Sequence, residues 1–236
     1  MIRDHYPSRD QTDVPRNAKI IITFRQAVLP SSFIDDTNGN SIIGDCINVG
    51  DLTLFDWQTS CDKLRSGADL IGITQSDTGG QISGANALVS YENSKAYTIV
   101  IRPFDYLGSD TAKVGYNVKI GKGILNDDPA NSNPSVFAGF PTGRDFYTWN
   151  FTCSTELDTA PPHVIDVYPQ EGSTEARNTA IQITFDDAMD PSTLQGSFTP
   201  GIGADANAYF LSGQAVFQKI SNSTLPAGIF RLVNNY

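Results

Sequence analysis

With 26 acidic side chains against 16 basic ones, the 236-residue chain carries a formal net charge of −10. That balance argues against nucleic acid, whose phosphates demand a basic face, and it suits hard cations, which take carboxylate and amide oxygens. An apolar fraction of 39% with 10% aromatics is globular, the length allows two domains with proper cores, and no run of about 18 apolar residues spans a membrane.

The first element is half of a repeat. Tyr6–Phe33 and Tyr168–Leu194 align with one gap at Pro15 and share 12 identities over 27 paired positions. Such self-similarity means two copies of one structural unit. Each copy has a Tyr-Pro turn, a polar loop, a strand with alternating apolar positions and a Pro-Ser turn. The strand positions are Ile20, Ile22 and Phe24 in one copy and Ile181, Ile183 and Phe185 in the other. Ile2 already begins the first entry strand, with Asp4 matched to Asp166, so no signal peptide is read and the chain reads as a segment of a longer exported protein.

Next come Asp35-Asp36-Thr37-Asn38-Gly39-Asn40, a turn-rich loop whose Asn-Gly suits a hairpin. Strands are expected at Asp51–Asp56 and Ala87–Tyr91, with an irregular insert between them in which Asp62–Leu70 has room for one helical turn. Ala96–Pro103, Val114–Ile120 and Phe146–Cys153 follow as strands, the last placing Trp149 and Phe151 in the core. Ser154–Pro162 (STELDTAPP) is a linker stiffened by two prolines. Only 42 residues follow Leu194, against 120 that follow Phe33 through Cys153, so the second domain reads as truncated or small. Many short strands with regular turns mean a sandwich or Greek-key barrel.

The three cysteines are Cys46, Cys61 and Cys153. A Cys46–Cys61 bridge is the preferred pairing, and pairing of Cys153 with either partner stays open.

The second copy carries Pro161-Pro162-His163-Val164, Pro169, Gly172, Asn178, Ile181–Phe185 and Met189–Leu194. This pattern resembles the bacterial Ig-like domains named after the S-layer protein SbsA. The first copy has Val28–Phe33 in place of the Met-Asp-Pro motif, while Tyr97–Ile101 resembles the family's penultimate strand and Tyr147–Thr152 its last. The resemblance implies an all-β fold of tandem Ig-like β-sandwich domains: residues 1–154 with an insert around 45–84, a Pro-rich linker at 155–162, and 163–236. It also implies extracellular modules of surface proteins, with no catalytic residues.

Enzyme signals are sparse. His5 and His163 are the only histidines, which excludes multi-histidine zinc sites, and no G-x-S-x-G elbow exists. The best candidate site is Asp36-x-Asn38-x-Asn40 with Asp45, whose oxygens at alternate positions suit Ca²⁺. The EF-hand signature fails, because Ser41 stands where Gly is needed and Ile47 where Glu is needed. The competing reading is an Asx-stabilised turn. Asp186, Asp187 and Asp190 beside Glu156 and Asp158 form a second acidic group, and Asn126-Asp127-Asp128 is turn chemistry. Asn150-Phe151-Thr152 and Asn222-Ser223-Thr224 fit a glycosylation sequon.

Exposed aromatics suit a carbohydrate platform, and Phe137, Phe140, Phe146, Tyr147 and the insert's Trp57 are the candidates, against core packing. The sequence thus points to a non-catalytic extracellular module that serves spacing, assembly or adhesion. Its expected partners are other surface-protein subunits or cell-surface glycans. Ligand-binding adhesin and accessory domain of a secreted hydrolase are the alternatives.

Overall fold

The computed structural model describes residues 1–47, 56–92, 95–141, 143, 145–176, 179, 181–186 and 189. The chain is an all-β Ig-like sandwich protein, with a single four-residue α-helix among the described residues. In chain order the strands are β1 (Ile2–Tyr6), β2 (Gln11–Val14), β3 (Ile20–Val28), β4 (Ile34–Asp35), β5 (Lys63–Leu64) and β6 (Ile71–Gln75). They continue with β7 (Ala85–Glu92), β8 (Lys95–Pro103), β9 (Val114–Gly121), β10 (Phe146–Cys153), β11 (Val164–Tyr168) and β12 (Gln182–Phe185). A six-stranded sheet runs β1-β3-β8-β7-β5-β4, a four-stranded sheet runs β2-β10-β9-β6, and β11 pairs with β12.

Alternation along the strands builds the core. Ile20, Ile22 and Phe24 of β3 and Ile99 and Ile101 of β8 join Val118, Ile120, Trp149 and Phe151 of the other sheet in one buried cluster. Each such side chain contributes about 1.5–3 kcal/mol on burial.

β3 and β8 are buried on both faces, which simple alternation does not foresee. Ile21, Leu88 and Val100 point away from the main core and form a second cluster with Cys61, against which Tyr6, Cys46 and Trp57 pack. The insert therefore covers the outer face of the six-stranded sheet. Its one helix, α1 (Trp57–Ser60), is capped by Asp56, whose side chain accepts from the Gln58 N–H. The helical turn thus lies just before Asp62–Leu70, not within it, because the capping aspartate is Asp56 and Lys63–Leu64 pair as a strand. Of the strand expected at Asp51–Asp56, residues 51–55 lie outside the described residues.

The repeat is a repeat of hydrogen-bonded register. β1 opposes β3 as Ile2↔Phe24, Asp4↔Thr23, His5↔Ile22 and Tyr6↔Ile21, with an irregularity between Ile2 and Asp4. β11 opposes β12 as Val164↔Phe185, Asp166↔Thr184, Val167↔Ile183 and Tyr168↔Gln182, with the irregularity at the matching step. Both Tyr-Pro bonds, Tyr6-Pro7 and Tyr168-Pro169, are cis. The closing contact matches as well: the Arg25 N–H donates to the Met1 carbonyl, and the Asp186 N–H to the His163 carbonyl.

Candidate functional site

Two arrangements stand apart from ordinary sandwich packing: the loop under the insert and the strap formed by the outgoing linker. In the loop, Cys46 and Cys61 are joined by a disulfide with Cα atoms 4.0 Å apart. Beside it, the fully buried Asp62 gathers the backbone. Its carboxylate accepts from the N–H groups of Gly44 at 2.8 Å and Thr37 at 2.9 Å, with longer contacts from Asn38 and Asp45. Burial pushes the Asp62 carboxyl above its ordinary value, and the donated N–H groups pull it back.

The structure brings Asp36, Asn38, Asn40 and Asp45 into this one loop. The Asp36 carboxylate accepts from the N–H groups of Gly39 and Ser41. The side-chain amides of Asn38 and Asn40 both donate to the buried Asp45 carboxylate, at 2.8 and 2.9 Å. The Asn38 and Asn40 oxygens accept from the Asn40 and Ile42 N–H groups. These are Asx turns locked to one another. Among the described residues, no group of three or more His, Cys, Asp or Glu side chains converges on a metal-sized point.

Of the other acidic positions, those that the structure describes have local partners. Asp186 binds His163 through the backbone N–H at 2.7 Å and the ring at 3.3 Å, and the His163 N–H holds the Asp186 carboxyl below its usual range. Asp187 and Asp190 lie outside the described residues, as does the Asn222 sequon. Asp127 pairs with Lys95 at 2.7 Å. Asn150, on the outer face of β10, accepts from the Asn117 amide at 2.8 Å.

The aromatic candidates separate by burial. Phe137 is core. Trp57 packs on the second cluster with the Arg102 guanidinium 3.9 Å from its ring centroid. Phe140 and Phe146 are exposed at 40% and 53%, with the Lys119 ammonium 5.4 Å from the Phe146 ring.

The strap is built on a parallel pairing. β10 runs parallel to β2, with Phe151 opposite Gln11 and Cys153 opposite Val14. The contacts begin earlier, where the Asp10 N–H meets the Asn150 carbonyl at 2.7 Å, and they continue beyond both strands. The Ser154 N–H donates to the Val14 carbonyl at 2.8 Å, and the Arg16 N–H to the Glu156 carbonyl at 2.9 Å. The Asn17 side chain then takes over. Its amide donates to the Asp158 carbonyl at 2.6 Å, and its oxygen accepts from the Asp158 N–H at 2.9 Å. The linker through Asp158 is thus fastened to the sandwich. Asn17, Ala18, Lys19, Tyr6 and Ile21 on one side, with Asp158 and Ala160 on the other, line a small cleft of about 200 Å³.

Asp62 and Asn17 carry these arrangements, and neither stands among the candidates read from the sequence. Asn17 did leave a signal, since Arg16-Asn17 recurs as Arg177-Asn178 inside the repeat. Nothing in the sequence around Asp62 distinguishes it from the other acidic turn residues.

The fold defines a class, that of all-β Ig-like sandwich proteins, and the strap orders the segment that leaves the last strand of the sandwich. A family model described as a bacterial Ig-like domain matches residues 158–225, beginning at the residue that Asn17 holds. Domains of that family are generally modules of bacterial surface proteins and typically non-catalytic. No curated protein matches the chain. Among the described residues, no helix is long and apolar enough to cross a membrane.

Proposed function

We propose that this chain is a non-catalytic, extracellular structural segment of a bacterial surface protein, of the SbsA S-layer type, whose work is spacing under load with assembly or adhesion at its ends. The observation that carries this reading is the parallel pairing of β2 with β10. Load entering from the N-terminal side pulls β2 toward its start, and load leaving through the linker pulls β10 toward its end. Parallel strands drawn in these directions slide past one another, so their hydrogen bonds bear the load together instead of opening singly. The partners in this reading are neighbouring surface-protein subunits or cell-surface glycans.

Light scattering after size-exclusion chromatography tests it over a concentration series, with calcium and with chelator. A spacer stays monomeric throughout, whereas growth into higher assemblies would make lattice building the main work. A second reading, a glycan-binding adhesin, is favoured by the exposed Phe140 and Phe146. Glycan binding that disappears in Phe146→Ala would select it over the spacer.

A further inference from the structure

The Asn17 side chain acts as a peptide group. A primary amide offers one acceptor and donors in the spacing of a backbone unit, and Asn17 uses both on the same residue, Asp158. It does so where the backbone of the first copy can no longer serve. Pro15 lacks an N–H, and the Ala18 N–H turns back to the Pro15 carbonyl at 3.0 Å. The pairing of Val14 with Ser154 and of Arg16 with Glu156 thereby gains a further rung.

We propose that Asn17 is an intermodule clamp: a site that recognises the extended backbone of the segment entering the next module and fixes it to the module before. The clamp bonds to the main chain of Asp158, so the ligand it fits is an extended peptide with a free N–H and carbonyl at one residue. Three observations support this beyond the two hydrogen bonds. The match to the bacterial Ig-like domain starts at Asp158 itself. On the far side, the His163 N–H is caught by Asp186 at 2.7 Å, and the Ala160 N–H is held by the Asp158 carboxylate at 2.9 Å. Between these anchors stand Pro161 and Pro162, which have no N–H to satisfy and a fixed φ. The Arg-Asn pair also recurs at Arg177-Asn178, while the next two positions change from Ala18-Lys19 to Thr179-Ala180. That is the pattern of a device used once per module.

This inference deepens the spacer reading and rests on it for its purpose, though its test is separate. In the full chain, Asn17→Ala is expected to speed deuterium exchange of the Asp158 amide about tenfold, the loss of roughly one such interaction. Cleavage after Glu156 by a glutamate-specific protease should rise by a similar factor, while tryptophan-monitored melting of the sandwich changes little. Asp158→Pro removes the donated N–H from the linker side without altering the sandwich, and should open Glu156 to the same protease. Unchanged exchange at Asp158 in a folded Asn17→Ala chain, or unchanged cleavage in the Asp158→Pro chain, would overturn the clamp. Glycan binding, by contrast, would end the spacer reading and leave this exchange pattern as it is.

Discussion

His5 lies stacked on Trp149 with ring centroids 4.0 Å apart, so the entry strand β1 and the last strand β10 of the sandwich meet through two side chains from different sheets. The His5 Nδ1–H donates to the Pro7 carbonyl at 2.7 Å, which leaves Nε2 to accept from the Tyr147 hydroxyl at 3.1 Å. This arrangement holds the neutral ring. Burial lowers the His5 pKa, and the Pro7 carbonyl and Asp4 oppose the shift only in part. The unfolded chain takes up a proton near the ordinary histidine value of about 6.5, whereas the folded chain waits until lower pH. The stabilisation is therefore complete above the ordinary value and is lost as pH falls through the window below it. Urea unfolding at pH 7 and pH 5 should show this loss, and His5→Gln should reduce it. Equal pH dependence in both proteins would refute the assignment.

Asp62 is the keystone of the loop beneath the insert. Removing its carboxylate in Asp62→Ala strands the Gly44 and Thr37 N–H groups, at about 1–3 kcal/mol for each orphaned donor. Chemical denaturation should show a loss of about 3–5 kcal/mol, and a loss under about 1 kcal/mol would mean that the loop re-forms without it. Gly44→Ala should be comparably damaging. A Cβ there would overlap a Val89 methyl, and the Gly44 φ of +83° disfavours any side chain.

The disulfide holds the insert over Ile21, Leu88 and Val100. Closing a loop of 15 residues stabilises by about 3 kcal/mol in the chain-entropy account, or roughly 10 °C in melting temperature for a domain of this size. A Cys46→Ala, Cys61→Ala double variant should melt lower by that amount and bind a hydrophobic dye more strongly. A melting point unchanged by both substitutions would show that packing alone holds the insert.

Cys153 is fully buried, and burial pushes its thiol up to about 12. Because the thiolate is the reactive form, Cys153 should resist a thiol reagent in the native protein and react once the chain unfolds in denaturant. Fast labelling of the native chain at neutral pH would show that the β2–β10 edge opens easily.

Much of the fold was legible because it is written in alternation and in self-similarity. The inward triplet Ile20, Ile22 and Phe24 marks β3, and the recurrence of that pattern carries the same register into β12. The role of the insert was not legible, because its meaning depends on a long-range partner. Ile21 is apolar since the insert covers it, and the second copy places Gln182 at that position, a contrast that becomes informative only once the cover is known. The direction of the side chains in the oxygen-rich run Asp36–Asn40 was not legible either, because side-chain identity does not reveal it. In the folded loop its amides face Asp45 and its oxygens are taken by backbone N–H groups. Asn17 left its trace only in the recurrence of Arg16-Asn17 as Arg177-Asn178, since an exposed asparagine in a turn is otherwise ordinary until the linker arrives beside it.

Single-molecule pulling from the two chain ends, compared with pulling the first sandwich from its N-terminus and a handle in the Thr78-Gly79 turn, shows which strands carry the load. Load carried by the parallel β2–β10 pairing predicts a higher rupture force from the ends, with β2 and β10 sliding as a unit. After reduction it predicts about 50 Å of extra extension, as the 15-residue loop is released at about 3.6 Å per residue. Equal or lower rupture force from the ends would contradict it, because the parallel pairing would then not be where the load is borne.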